Sequence, residues 1–476
     1  MAENKNMLAF DFGNSTLRAI LCRFDGEKIE SEVVLSESNE MLKIDDYFYW
    51  DLLRIFSFMK RSVEKAAGEI KLDSVGICTW GVDFMLFDEK NHMLSNALSY
   101  RNSIGAEIIE KQTEEEKKEM FRRTGILSDK INSIYMLKGI HDKMPSIASA
   151  AKKLLMIPDI LTYFMTGVME NEPSELSTTQ ALDVSTMSIS KEQCEFMGID
   201  SGLFQKIGEH GKIIGNIKRE ILDEMKIDYD IPFICTPSHD TASAVFGIPC
   251  EDEEYFFVSS GTWALIGAQI EKPVLTEEVI EGKLTNEVGA FGKITLLKNS
   301  IGMFITQRLK AEYQRDIQQN ISWNEFTDLA RAFEGEAGIF DVNHEDFFNP
   351  VHMGHAIHKH LHPEAPEGKL NWNEIVASVF ASMAESYCVG LRAVMKATGK
   401  EPDVVYVVGG GSKNAIINQA CADSLGKKIV TCDMECSCVG DAAAQLAGVC
   451  PELSYRDLRK IIVASLKTNV YNPIVK

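Results

Sequence analysis

Positive charge is in short supply: 49 lysines and arginines face 70 aspartates and glutamates, a formal net charge of −21 at pH 7. Phosphate backbones are bound by clustered Lys and Arg, so this balance argues against nucleic acid as a partner, and an anionic substrate needs a local positive feature. Long apolar runs are also missing. No 18-residue apolar stretch occurs, and MAENKNMLAFDFG lacks the basic start and apolar core of an export signal. Neither a membrane partner nor secretion is therefore expected, and the expected location is cytoplasmic. The 11 cysteines are odd in number and scattered, which does not suit a disulfide framework. The densest group, Cys432, Cys436 and Cys438, holds no CxxC pair and reads as buried thiols rather than a metal site.

Proline-rich and serine-rich linkers are nearly absent, so composition marks no domain boundary. At 476 residues the chain exceeds one hydrophobic core, and two domains are expected, 1–245 and 246–476. Residues 7–12 and 17–24 read as strands around the turn Gly13-Asn14-Ser15-Thr16. A helical pattern covers 51–70, and 74–88 reads as strand, turn at Gly81, strand. Residues 104–170 look mostly helical, with the charged run EKQTEEEKKEMFRR as a solvated face. Further on come a second hairpin, FFVSSGTWALIG, a helical stretch at 373–398 and a strand running into VVGGGSKN. The fold class is α/β, and two like hairpins about 250 residues apart predict two related halves.

Phosphate is bound by backbone N–H groups on tight turns built from Gly and small hydroxyl residues, and both hairpin turns qualify. Asp11, at the end of the first strand, is suited to hold Mg2+ through water, with Arg18 as a nearby positive charge. GGGSKN suits a phosphate cradle or a close approach to adenosine, but it lacks the last glycine of a dinucleotide fingerprint. In HDTASAV, Asp240 reads locally either as a helix cap or as a general base accepting the proton of a substrate hydroxyl. The segment HMGHAIHKHLH offers two histidine pairs, His352 with His355 or His355 with His358, and its plain reading is a solvent-facing helix.

In order along the chain, DFGNST, WGVDF, HDTASAV, SSGTW and VVGGGSKN resemble the FGGY family of carbohydrate kinases, in the actin-like ATPase superfamily. The resemblance runs from about residue 8 to 450 and includes YRNS, TTQALD, TNEVG and KNSIGMFITQ. It implies two ribonuclease-H-like domains with an active-site cleft between them, and ATP-dependent phosphorylation of a ketose: L-rhamnulose foremost, L-fuculose or another ketose otherwise. By the same resemblance Gly13, Asn14, Ser15, Thr16, Arg18, Gly261 and Thr262 hold the phosphates of ATP, and Gly409, Gly410 and Gly411 border the adenosine. Asn299 and Gln307 match nucleotide contacts; Gly81, Asp83, His239, Asp240 and Thr241 match the sugar site, with Asp240 as proton acceptor. The implied partners are a ketose and MgATP, in a monomer or homodimer. Two departures stand out: the usual Ala-Ser-Ser-Gly-Arg after the first glycine is Asn14-Ser15-Thr16-Leu17-Arg18, and Tyr-Arg-Asp is Tyr100-Arg101-Asn102. A non-catalytic module that binds sugar and nucleotide is the reading from a different class.

Overall fold

Alternate side chains of a strand point to opposite faces of its sheet, and the first hairpin is apolar on both. Leu8, Phe10 and Phe12 of strand Lys5–Phe12 join one core, shared with helices Leu52–Glu69 and Ile157–Thr166. Met7 and Ala9 join another, shared with helices Cys436–Val449 and Tyr455–Ser465. A sheet sandwiched in this way needs near-continuous apolar strands, which is how these segments read. The computed structural model describes residues 3–432 and 436–474.

Two compact units are present. The first comprises Met1–Glu253, Gln269–Leu296 and Glu435–Leu466; the second comprises Glu254–Ala268, Leu297–Met434 and Lys467–Lys476. A single division at 245/246 is thus only part of the organisation, because two later segments return to the first unit. The reason is physical: the second face of the first sheet is covered by residues such as Cys438, Val439, Ala442 and Leu446.

The first sheet has the strand order Ile213–Asn216, Pro232–Ile234, Ser74–Thr79, Lys5–Phe12, Thr16–Phe24, Ile29–Ser38. Its three middle strands, Pro232–Ile234, Ser74–Thr79 and Lys5–Phe12, run parallel; the outer pairings are antiparallel. The second sheet repeats the plan. Its central strand, Tyr255–Ser260, lies between Trp263–Ile270 and Val404–Val408, and Ile294–Ile301 follows on the hairpin side. On the other side Val404–Val408 and Lys428–Cys432 continue in parallel, and Thr468–Tyr471 closes that edge antiparallel.

The segment at 74–88 forms two strands, but not one hairpin. Ser74–Thr79 enters the main sheet, whereas Phe84–Phe87 pairs antiparallel with Lys153–Met156. The charged run becomes helix Glu114–Thr124, opened by a capping box between Thr113 and Glu116. Helix Trp372–Thr398 is the one described helix long and apolar enough to cross a membrane, and 67% of its apolar window is buried within the protein.

Candidate active site

Ligands of α/β sheets gather at the carboxyl ends of parallel strands, and the first sheet delivers three such ends together. Asp11 pairs with Cys78 and Phe12 with Thr79 across the parallel strands. Thr79 in turn bridges to His239, and its N–H donates to the Ser238 carbonyl at 2.7 Å. This register brings Asp11, Gly81 and the His239-Asp240 pair to one edge of the sheet.

Asp240 is the first residue of helix Asp240–Phe246; the cap position belongs to His239, whose side chain makes no capping bond. The small residues of HDTASAV serve close packing. A Cβ on Gly440 would lie 2.0 Å from the Ser243 carbonyl oxygen, and one on Gly247 would lie 1.9 Å from that of Cys436, so helix Cys436–Val449 presses directly on the Asp240 helix. The Asp240 side chain is only partly buried. Loss of surrounding water raises its pKa, Asp11 and Glu287 add repulsion, and His239 and the Thr241 amide work against the rise.

His239 stands between two carboxylates, with Nε2 3.5 Å from Asp240 Oδ1 and Nδ1 3.4 Å from Glu287 Oε2. Burial opposes its charge, but Glu287, with Asp240 and Glu172, overcomes that and lifts the imidazole to about 9. An imidazolium at neutral pH follows. The His239 ring also accounts for Gly81, because a Cβ there would lie 3.1 Å from the ring and 2.8 Å from Thr178 Cγ2. The next residue, Val82, takes φ 70°, a conformation costly for a β-branched side chain. It is held there by the Thr178 hydroxyl, which accepts its N–H at 2.9 Å, and by Ser133 Oγ, which donates to its carbonyl at 2.5 Å.

Asp83 is fully buried, and its Oδ2 accepts both indole N–H groups of Trp50 and Trp80, at 2.6 and 2.9 Å. Burial pushes its carboxyl up to about 7, with the two indoles pulling the other way. Asp11 accepts from the Arg18 guanidinium and, at 3.0 Å, from Ser437 Oγ. The turn beside it is closed by Gly13 N–H to Thr16 O at 2.9 Å. Asn39 braces it by donating its backbone N–H to Ser15 O and Nδ2 to Gly13 O. Ser15 and Thr16 are exposed, and Asn14 Oδ1 is buried without a hydrogen-bond partner.

In the second unit, Ser259 pairs with Val408, so Gly261 and the glycine run leave neighbouring parallel strands side by side. Gly409 adopts φ 79°, and a Cβ on Gly411 would lie 2.0 Å from Ser260 Oγ, so the run packs against the strand end as well as leaving backbone open. The turn Gly261-Thr262 is held by N–H groups of Gly302, Met303 and Phe304, which places segment 299–307 beside it. Thr262, Asn299 and Gln307 are exposed there.

Sequence reasoning gave no role to Glu287, Thr178 or Ser437. Glu287 and Thr178 fall in the quoted segments TNEVG and TTQALD, yet nothing local distinguishes them from ordinary strand and turn residues. Asn102 is clarified too: Oδ1 accepts the Phe48 N–H, and Nδ2 donates to the Phe48 and Ser99 carbonyls. A carboxylate cannot make the last two bonds.

A twice-used ribonuclease-H-like sheet, with a small-residue turn on each central hairpin, is the actin-like ATPase fold. The fold of a ligand-bound xylulose kinase from Lactobacillus acidophilus superposes with a TM-score of 0.81 at 16% identity, covering 99% of this chain and 94% of that one. The Plasmodium falciparum glycerol kinase with ADP gives 0.77 at 16% identity, with 98% and 94% covered. Models of the N-terminal and C-terminal domains of the FGGY family of carbohydrate kinases match residues 6–247 and 256–449. Among curated relatives, the rhamnulokinase of Oceanobacillus iheyensis is 31% identical over 468 residues, 98% of this chain and 97% of its own. That of Bacillus subtilis is 28% identical, with 98% and 95% covered. The chain belongs to the FGGY family of carbohydrate kinases and is a sugar kinase, for which ATP is the phosphoryl donor.

Proposed function

We propose that the chain transfers the γ-phosphoryl group of ATP to the 1-hydroxyl of L-rhamnulose, giving L-rhamnulose 1-phosphate in L-rhamnose breakdown. The observation that carries the substrate is the near-full-length similarity to several rhamnulokinases at about 30% identity. Asp240 is the general base: its oxygen takes the hydroxyl proton as the sugar oxygen bonds to phosphorus and the bond from phosphorus to the ADP oxygen breaks. The His239 imidazolium steadies that carboxylate at the edge of the sugar site. Gly81 and Thr241 complete the sugar contacts, and Asp83 fixes the indoles of Trp50 and Trp80.

Within the first unit, the open turn Gly13-Asn14-Ser15-Thr16 offers amides to phosphate, with Arg18 adding charge. Within the second, Gly261 and Thr262 do the same, and Asn299, Gln307 and Gly409 to Gly411 bind the nucleoside. The donor set suits Mg2+: Asp11 raises the cost of charge on Asp240, which a hard dication bound by oxygen ligands relieves. Bound with ATP, the ion supplies charge neutralisation at the phosphates, and Asp11 would hold it through water.

A kinase for another ketose is favoured by one observation, the engagement of Asn102 with Phe48 and Ser99 in place of a sugar-side carboxylate. Coupled ADP release with L-rhamnulose, L-fuculose, L- and D-xylulose, L-ribulose and glycerol separates the two. A clear preference for L-rhamnulose supports the proposal. Preference for another sugar keeps the chemistry and replaces the substrate, and sugar-dependent nucleotide binding without ADP formation overturns catalysis itself.

A further inference from the structure

The histidine-rich segment points to a function the kinase chemistry does not use. Among the described residues, one group of three His, Cys, Asp or Glu side chains brings its donor atoms within 4.8 Å of one another: His344, Asp346 and His360. The pairs expected from spacing alone are different, because His352 and His355 meet only by their rings, with centroids 6.0 Å apart. His344 precedes the short 3-10 turn Glu345–Phe347, Asp346 lies within it, and His360 comes from helix Met353–Leu361.

We propose that His344, Asp346 and His360 form a surface site for a divalent transition cation of the zinc type. Two imidazole nitrogens and one carboxylate oxygen are borderline donors, which favour Zn2+ and its neighbours over Mg2+ or Ca2+. Ligand arms of about 2.0–2.2 Å in a tetrahedral site put donors roughly 3.3–3.6 Å apart. His344 Nδ1, 3.5 Å from Asp346 Oδ2, already matches, and His360 Nε2, 2.9 Å from that same oxygen, has to draw back by a few tenths of an ångström. The rings are held before any cation arrives. His344 and His360 pack with centroids 4.8 Å apart, and the buried Phe347 ring sits 4.8 Å from His360 and 5.0 Å from Phe340. Without a cation, His360 Nε2 donates to Asp346, and the Asp346 N–H makes a long 3.3 Å bond to His344 Nδ1. Binding exchanges these two hydrogen bonds for coordination. Water fills the remaining position, since His344 and Asp346 are exposed. The site would clip the 344–346 turn to the helix.

The test uses the full chain free of any polyhistidine tag, titrated calorimetrically with ZnCl2. One equivalent is expected to bind, with affinity at least tenfold weaker in His344→Ala, Asp346→Asn and His360→Ala and unchanged in the His352→Ala, His355→Ala double variant. A measurement on the unaltered chain guards against misfolded variants: Zn2+ should protect His344 and His360, but not His352, from diethylpyrocarbonate. No uptake at 1 mM ZnCl2, equal affinity in a His344→Ala, His360→Ala double variant, or protection of other histidines instead would each overturn the proposal.

Discussion

A carboxylate takes a proton from an alcohol only while it is itself unprotonated, and Asp240 sits where water loss and two neighbouring carboxylates raise its pKa. The acid limb of the kcat/KM profile is therefore expected above the ordinary carboxylate value of about 4, with activity falling as pH drops through it. The alkaline limb is expected to follow His239, whose charge is lost as pH rises through about 9. Glu287→Gln removes the main group holding that proton, so the alkaline limb should move to lower pH; an unmoved limb would show that His239 does not set it. Asp240→Asn should lower kcat by about 10²–10⁴-fold while calorimetry still detects nucleotide binding, and unchanged turnover would remove Asp240 as the base. Gly81→Ala should raise the KM for sugar and lower the melting temperature, because its Cβ would meet the His239 ring and buried Thr178, whose hydroxyl holds Val82. Asp240 was legible because its motif is contiguous. Glu287 was not, since its value lies in a 3.4 Å approach to a residue 48 positions earlier in the chain.

At the scale of elements, helix Asp240–Phe246 owes its position to its contact with helix Cys436–Val449. Gly440→Ala gains helix propensity, yet its Cβ would fall 2.0 Å from the Ser243 oxygen, and the overlap must be relieved by separating the two helices. A loss of about 1–3 kcal/mol is expected, read as a lower melting midpoint together with reduced kcat. An unchanged midpoint would mean that the contact carries no strain. Sequence periodicity exposed the strands, the helix at 51–70 and the small-residue run, because these are properties of neighbours in the chain. It gave no partners. Phe84–Phe87 looks like the second arm of a local strand pair, but its mate is Lys153–Met156, and no local pattern encodes that choice.

At the scale of the whole chain, the likeness of the two hairpins made the duplicated sheet order legible, whereas the assembly of the first unit from three segments was not. Coverage of a sheet face is a long-range property: Met7, Ala9, Ile20 and Cys22 are packed with Cys438, Val439 and Ala442. A fragment ending at residue 253 should therefore bind the dye ANS and exchange its strand amides rapidly, and co-expression with 436–466 should restore protection. Full protection in the fragment alone would show that the later helices are dispensable. The same arrangement constrains synthesis on the ribosome. The sheet made first stays bare on one face until residues beyond 435 emerge, some 182 residues after 253. At about 5–20 residues per second the delay is roughly 10–40 s, a window in which the nascent chain presents an unfinished apolar surface open to aggregation.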